Sequence, residues 1–268
     1  MVTVDPQKCT RCHLCVKDCL AGLLTPGSDG VPFMPDEVEK LCINCQHCLA
    51  ICPAGALVCN GVTPQMCPQA GMLPEPDSMA ALLKMRRSVR FYKDENIAPE
   101  IMKKLKDSLA WSPTGCNDHR LIFHVVENKE DMAFFRDNTN KMLRFLVKSG
   151  ILKLLFPRVK RYLSAILEGQ DVIYRNAPHM IVCSAPEKSP CKEADPWIAL
   201  SYFDLYLQSF GLGSCWCGFA VRALKYNSKL RARLHLPKGY KVKSVLLFGI
   251  PAVKYARATA PENYRINN

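Results

Sequence analysis

Two stretches decide the reading: C-T-R-C-H-L-C-V-K-D-C over residues 9–19, and C-I-N-C-Q-H-C-L-A-I-C-P over residues 42–53. Both follow the spacing C-x2-C-x2-C-x3-C. Two-residue gaps let three thiolates of one loop turn inward onto one inorganic cube. The fourth Cys of each run is expected to start a helix, point away and ligate the other cluster. The spacing therefore predicts one [4Fe-4S] cluster on Cys9, Cys12, Cys15 and Cys52, and a second on Cys42, Cys45, Cys48 and Cys19.

A disulfide framework is the first competing reading. It is disfavoured because the chain opens M-V-T-V-D-P, without the basic start and apolar run of a secretory signal. Zinc is the second, but zinc prefers paired C-x2-C knuckles. The N-terminal part resembles the bacterial two-cluster ferredoxins. One departure is that Cys19 is followed by Leu20, not Pro. That Pro shapes a turn and is not a ligand, so the assignment stands.

At 268 residues and 49% hydrophobic, the chain is too long for one such unit and suits two domains. The boundaries expected are 1–58 for the cluster domain, 59–78 for a Pro- and Gly-rich surface linker, and 79–268 for the second domain. Cys59 and Cys67 fall in the linker and are expected to be free thiols. No apolar run reaches spanning length, so no transmembrane segment is expected and the cytoplasm is the expected location. Fifteen cysteines point to a reducing compartment. The net charge is +12, yet residues 1–70 carry six carboxylates against four cations, leaving +14 for the remainder. An acidic head and a basic body suit electron donation and a phosphate-bearing cofactor. The basic residues form no compact tract, which argues against nucleic acid as a partner.

P-G-S-D-G within 23–35 signals a hairpin. Asp77 or Ser78 can cap a helix over 79–87, and Pro99 opens one over 99–110 with Ile101, Met102, Leu105 and Leu109 on one face. Strands are expected at 121–127, 179–184 and 243–250, and a long apolar helix over 197–210, closed by Gly211. This alternation indicates an α+β fold with a central sheet. Residues 141–168 form an insert of apolar residues at helical spacing among Lys and Arg. A helical pair broken at Pro157 is favoured there over a membrane-surface helix.

A second chemistry is scattered along the chain. M-R-R-S-V-R-F-Y at 85–92 supplies guanidinium forks and a hydroxyl suited to phosphate oxygens. S-P-T-G-C-N-D-H-R (112–120), Y-R-N-A-P-H-M-I-V-C-S (174–184), G-L-G-S-C-W-C-G-F (211–219) and F-G-I-P-A-V-K-Y-A-R (248–257) follow in order. Together they resemble the FMN-dependent nitroreductase family over about 79–258, so the whole resembles a ferredoxin–nitroreductase fusion with a nitroreductase-like sandwich around a mainly antiparallel sheet.

The resemblance implies that Arg86, Ser88 and Arg90 hold the FMN phosphate and ribityl chain, with Arg87 adjacent. Arg257 would close on the phosphate, and Asn117 on the ring edge or ribityl group. Backbone amides around Cys217 and Gly218 would face flavin N5 and O4, the Cys217 N–H mattering more than its side chain. His119, Arg120 and Tyr255 depart from common family residues. Cys215 and Cys217 read as buried and inert, His124 as a satisfied histidine, and Trp216 and Phe219 as core or pocket walls. No G-x-G-x-x-G opens a strand–helix unit. No side chain stands out as a catalytic acid; flavin N5 would carry the chemistry. The expected function is an oxidoreductase passing electrons from two [4Fe-4S] clusters to FMN, then to a nitroaromatic, quinone or activated alkene. External ferredoxin or NAD(P)H would be the donor, and a homodimer would complete the pocket. The alternatives are an electron carrier or redox sensor, and a flavin-remodelling or dehalogenating enzyme.

Overall fold

The computed structural model describes residues 1–150, 162–260 and 265–266. The chain falls into two compact units. One comprises Met1–Leu73 with Cys116–Asp118, the other Pro74–Gly115 with His119–Asn268.

In the smaller unit β1 (Val2–Val4) pairs antiparallel with β4 (Leu57–Cys59), joining the two ends of the cluster domain. Strands β2 (Thr25–Pro26) and β3 (Pro32–Phe33) form the expected hairpin, with Gly30 supplying a φ of +80 in its turn. Helices α1 (Leu14–Asp18) and α2 (His47–Ala50) each lie within a cysteine run. The core is small: Val2, Cys15, Leu24, Leu49, Leu57 and Cys59, with Cys42, Cys48 and Cys52 packed on it. So little apolar surface leaves such a unit dependent on staples, and cysteines occupy the staple positions.

Two expectations are corrected here. Neither fourth cysteine starts a helix: Cys19 is the C-cap of α1 and Cys52 follows Ile51, the C-cap of α2; after Cys19 the chain turns at Gly22, whose φ is +62. Cys59 is not in a surface linker. It ends β4, is 1% exposed, and lies beside Cys48 and Cys42. Its pairing with Val2 draws it into the core, a long-range contact that local composition does not encode.

In the larger unit β5 (Ile122–Val126), β6 (His179–Pro186), β7 (Gly213–Trp216) and β8 (Tyr240–Gly249) form one antiparallel sheet in the order β5-β6-β8-β7. All eight residues of β6 are buried. A central strand covered on both faces needs no alternation, which is why Met180 to Cys183 run apolar without a break. Met180, Val182, Val245 and Leu247 face one layer, with Phe135 of α5 (Lys129–Lys148) and Ala220 and Leu224 of α8 (Gly218–Tyr226). Ile181, Cys183, Leu246 and Phe248 face the other. There they meet Met102 and Leu105 of α4 (Pro99–Ser108) and Leu200, Phe203 and Leu207 of α7 (Asp195–Ser209). Each such side chain, fully buried, contributes roughly 1.5–3 kcal/mol. The result is an α+β sandwich.

The helix expected from residue 79 starts earlier, as α3 (Pro76–Met85), because Pro76 occupies its first turn. Of the 141–168 insert, α5 covers the first part and α6 (Leu163–Glu168) the last; the expected break at Pro157 lies outside the described residues. Leu143 and Ile166 bury together against Leu146, Val147 and Tyr162, so the described parts use their apolar face for internal packing. Helix α9 (Ser228–Ala232) is capped by Asn227, whose side chain accepts from the Lys229 and Leu230 N–H groups.

Candidate functional site

The two cysteine loops repeat one backbone conformation. Arg11 and His13 flank Cys12 at φ +56 and +57; Asn44 and Gln46 flank Cys45 at +56 and +60. Four non-glycine residues in the left-handed region, at matching places, bend each loop into a concavity. Such alternation turns successive N–H groups inward, the anion-binding form found at iron–sulfur sites. The Arg11 N–H donates to Cys9 Sγ at 3.4 Å. The fourth cysteines match too: Cys19 accepts from the Leu23 N–H and Cys52 from the Ala56 N–H, each at 3.4 Å. Gly22 and Gly55 close the two turns with φ +62 and +56. Leu20 thus permits the same turn that Pro53 shapes, and it points fully to solvent.

Burial pushes the Cys15 thiol up, and Cys52 and Cys12 push it the same way, which places Cys52 beside the first loop. Burial also pushes Cys48 up to about 12, reinforced by Cys59, Cys45 and Cys42. A thiolate at such a position requires a compensating cation, which iron supplies. All fifteen cysteines are free. Among the described residues no three His, Cys, Asp or Glu side chains could hold a single metal ion. Ligands of a cube sit at its corners and stand further apart. The donor set, the loop curvature and the N–H···S contacts fit two iron–sulfur clusters.

Asn117 belongs to this unit. Two successive left-handed residues, Cys116 at φ +56 and Asn117 at +54, turn it so that Nδ2 donates to the Ile43 and Asn44 carbonyls at 2.9 and 3.0 Å. Its amide nitrogen is thus engaged by the second cysteine loop.

The larger unit holds a cavity of about 360 Å³ lined by Val172, Ile173, Cys215, Trp216, Cys217, Gly218, Phe219 and Leu247 with three arginines, Arg90, Arg175 and Arg222. Among the described residues no carboxylate lines it, so it favours an anionic group. Arg175 is half-buried at φ +56 and is fixed by its neighbours: Asp171 accepts the Ile173 and Tyr174 N–H groups on Oδ1 and the Asn176 N–H on Oδ2. Sequence reasoning quoted the motif containing Arg175 without assigning it a role, and it passed over Arg222. The signal available was a guanidinium beside a fixed turn and another four residues after Gly218.

The arginine motif lies along the edge of β7. Ser88 bridges Ser214 in parallel register, the Val89 N–H donates to Ser214 O at 2.7 Å, and Tyr92 bridges Pro251. Arg86 is half-buried, 3.7 Å from Asp204 Oδ2, and its buried NH1 has no hydrogen-bond partner among the described residues. Arg87 donates to Thr259 Oγ1 at 2.9 Å and lies over the Tyr255 ring, so the C-terminal segment that carries exposed Arg257 comes back to the motif. Arg90 is exposed and lines the cavity.

Cys217 N–H donates to Val245 O at 2.9 Å. This corrects the expectation that this amide faces the flavin, because the sheet has claimed it. Gly218 opens α8, and a Cβ added there would meet nothing within 4 Å. The open space above Gly218, together with the arginine lining of the cavity, fits a flat, phosphate-bearing ligand. Burial pushes the Cys217 thiol up to about 11, raises Cys215, and raises Cys183 strongly, as expected for inert thiols. His124 sits on β5 with its pKa lowered by burial, edge-on to Phe135 at 6.4 Å.

No helix among the described residues is long and apolar enough to cross a membrane. The profile of the Nitroreductase family matches residues 83–250, and that of a 4Fe-4S dicluster domain matches residues 8–57. No curated protein matches the chain. Among solved structures, it is similar to a nitroreductase with bound FMN from Desulfitobacterium hafniense at 20% identity, covering 74% of this chain and 99% of that one, with a TM-score of 0.58. An FMN-dependent nitroreductase from Clostridium difficile is similar at 26% identity over 70% and 99%, TM-score 0.50. An iodotyrosine deiodinase bound to FMN and 3-iodo-L-tyrosine shares the fold at 19% identity over 71% and 98%, TM-score 0.52. The chain belongs to the nitroreductase family, as an oxidoreductase with a two-cluster 4Fe-4S domain ahead of the nitroreductase domain.

Proposed function

We propose that the protein is an iron–sulfur flavoprotein that takes low-potential electrons at its clusters, holds FMN in the arginine-lined cavity, and reduces a small electron-poor acceptor. Nitroaromatics, quinones and activated alkenes form the acceptor class. The observation that carries this is the cavity at Gly218, with its lining of Arg90, Arg175 and Arg222. FMN when bound supplies the two-electron chemistry. The chain's own residues bind and orient. Arg86, Arg87, Ser88, Arg90 and Arg257 take the phosphate and ribityl end; the Gly218 N–H, at a helix start, supplies a donor to the ring; Trp216 and Phe219 wall the cavity. The two cysteine loops would hold the clusters, which when bound would supply one-electron carriers in a pair, matching the two electrons that full flavin reduction requires.

A second copy of the chain is the expected partner. Ile198, Tyr202 and Tyr206 form an exposed stripe at i, i+4 and i+8 on α7, with exposed Trp111 and Trp197. Such a stripe on a helix that also builds the core marks an association surface. Free cysteines throughout support a reducing compartment such as the cytoplasm. The test is a matrix of donors (reduced ferredoxin, dithionite, NADH, NADPH) against nitroaromatic, quinone and enone acceptors, run anaerobically. Sustained turnover with one class supports the reading. Flavin reduction that stops after one equivalent with every acceptor would favour an electron carrier.

A further inference from the structure

We propose that Asp204 is the positioning residue for Arg86, fixing its guanidinium to receive the cofactor phosphate. The proposal rests on the FMN reading above and concerns how its phosphate end is held.

Asp204 lies in the middle of α7 among the buried side chains of Leu200, Phe203 and Leu207, and is itself 3% exposed. A carboxylate in such a place is costly and persists only with partners. Among the described residues three side chains supply them. Ser214 Oγ donates to Oδ1, the Trp216 side chain hydrogen-bonds the carboxylate, and the Arg86 guanidinium stands 3.7 Å from Oδ2. At 3.7 Å the second contact is a charge pair without a hydrogen bond. The Arg86 NH1 nitrogen is accordingly buried but still lacks an acceptor. NH1 is held inward against Asp204, while the remainder of the guanidinium, on a side chain 34% exposed, stays open to a ligand. Burial raises the Asp204 pKa, and the Ser214 bond, the Arg86 charge and the Trp216 bond, in that order, oppose the rise.

Ser214 links the carboxylate to the phosphate motif. Its backbone pairs with Ser88 and accepts the Val89 N–H at 2.7 Å, while its hydroxyl holds Asp204. One residue of β7 therefore fixes both the backbone carrying Ser88 and the carboxylate facing Arg86. Nothing in the sequence pattern joins residues 86, 204 and 214; only the packing of α7 on β7 does.

The sign of the effect separates positioning from simple charge. By Coulomb's law alone, removing a negative group near an anion site strengthens anion binding. Loss of a fixed guanidinium weakens it. The experiment strips flavin from the full chain and titrates it with FMN and with riboflavin, following flavin fluorescence. Asp204→Asn is expected to weaken FMN about tenfold and leave riboflavin unchanged, since riboflavin has no phosphate. Ser214→Ala keeps the charge but frees the carboxylate, and is expected to weaken FMN severalfold with riboflavin again unchanged; it also serves should Asp204→Asn fail to fold. FMN binding that is unchanged or tighter in both folded variants overturns the proposal. Equal losses of FMN and riboflavin overturn it too, since Asp204 then only shapes the cavity. Wild-type protein that binds neither flavin would instead overturn the FMN reading itself, and this proposal with it.

Discussion

Gly213→Ala is a one-methyl test of how the arginine motif is seated. Gly213 opens β7 where the 88–93 segment crosses its edge. A Cβ there would stand 2.5 Å from Val89 Cγ2, 2.8 Å from Val89 Cβ and 3.0 Å from Pro251 Cγ. Carbon atoms in contact prefer about 3.5–4.0 Å, so roughly 1 Å must be found. Val89 is β-branched, with its N–H bonded to Ser214 O, and Pro251 is a rigid ring, so side-chain rotation alone does not provide it. Overpacking of this kind costs about 1–3 kcal/mol. Restricting the unfolded chain returns about 0.4–1 kcal/mol. A net loss of about 1–2 kcal/mol lowers the melting temperature of a unit this size by roughly 2–8 °C. The displaced segment carries Arg86, Ser88 and Arg90, so FMN affinity should fall with it. Gly218→Ala is the matched control: its Cβ meets nothing within 4 Å, so stability should hold or rise, while the methyl protrudes where the flavin ring would lie and FMN affinity drops. Calorimetry on the flavin-free chain and fluorescence titration with FMN read both quantities. A Gly213→Ala protein that melts and binds FMN like wild type would show that the motif is not seated as described.

Cys19→Ala should lower iron content and remove one of two EPR signals, that of the cluster bound mainly by Cys42, Cys45 and Cys48; two undisturbed signals would defeat the crosswise ligation. Arg86→Ala combined with Arg257→Ala should release FMN on desalting, whereas a retained yellow colour would refute the phosphate assignment. His179 is buried with Nε2 accepting the Ile97 N–H at 3.0 Å, and burial lowers its pKa from 6.5 to about 4. The folded pKa lies below the unfolded value, so the unfolded state binds more protons between those limits. Stability is therefore full above about pH 6.5 and lost as pH falls towards 4, on the order of 3 kcal/mol. Denaturant unfolding from pH 7 to 4 should show this loss in wild type and a shallower one in His179→Gln; parallel slopes would count against it.

The cysteine spacing carried the cluster domain because ligand geometry is local: three residues two apart share one loop. The sheet was legible where strands were continuous and apolar, as at His179 to Ser184. It was not legible at β7, where Gly213-Ser-Cys-Trp is short and was quoted only as part of a family motif. Helix α8 was hidden in the same way, although Ala220, Ala223 and Leu224 carry the helical spacing of its buried face. The Cys217 amide was misassigned because its bond to Val245 depends on strand order, which sequence does not display. Cys59 and Asp204 were missed for one shared reason. Their importance lies in contacts across many residues of chain, with Val2 and with Arg86, and composition around each looks ordinary.

The most direct measurement is anaerobic purification followed by iron, acid-labile sulfide and flavin analysis of the intact chain. The account predicts iron and sulfide in equal amounts matching two four-iron cubes per chain, with about one FMN. A chain that binds zinc in place of iron, or that comes out colourless after oxygen-free reconstitution with iron, sulfide and FMN, would contradict it.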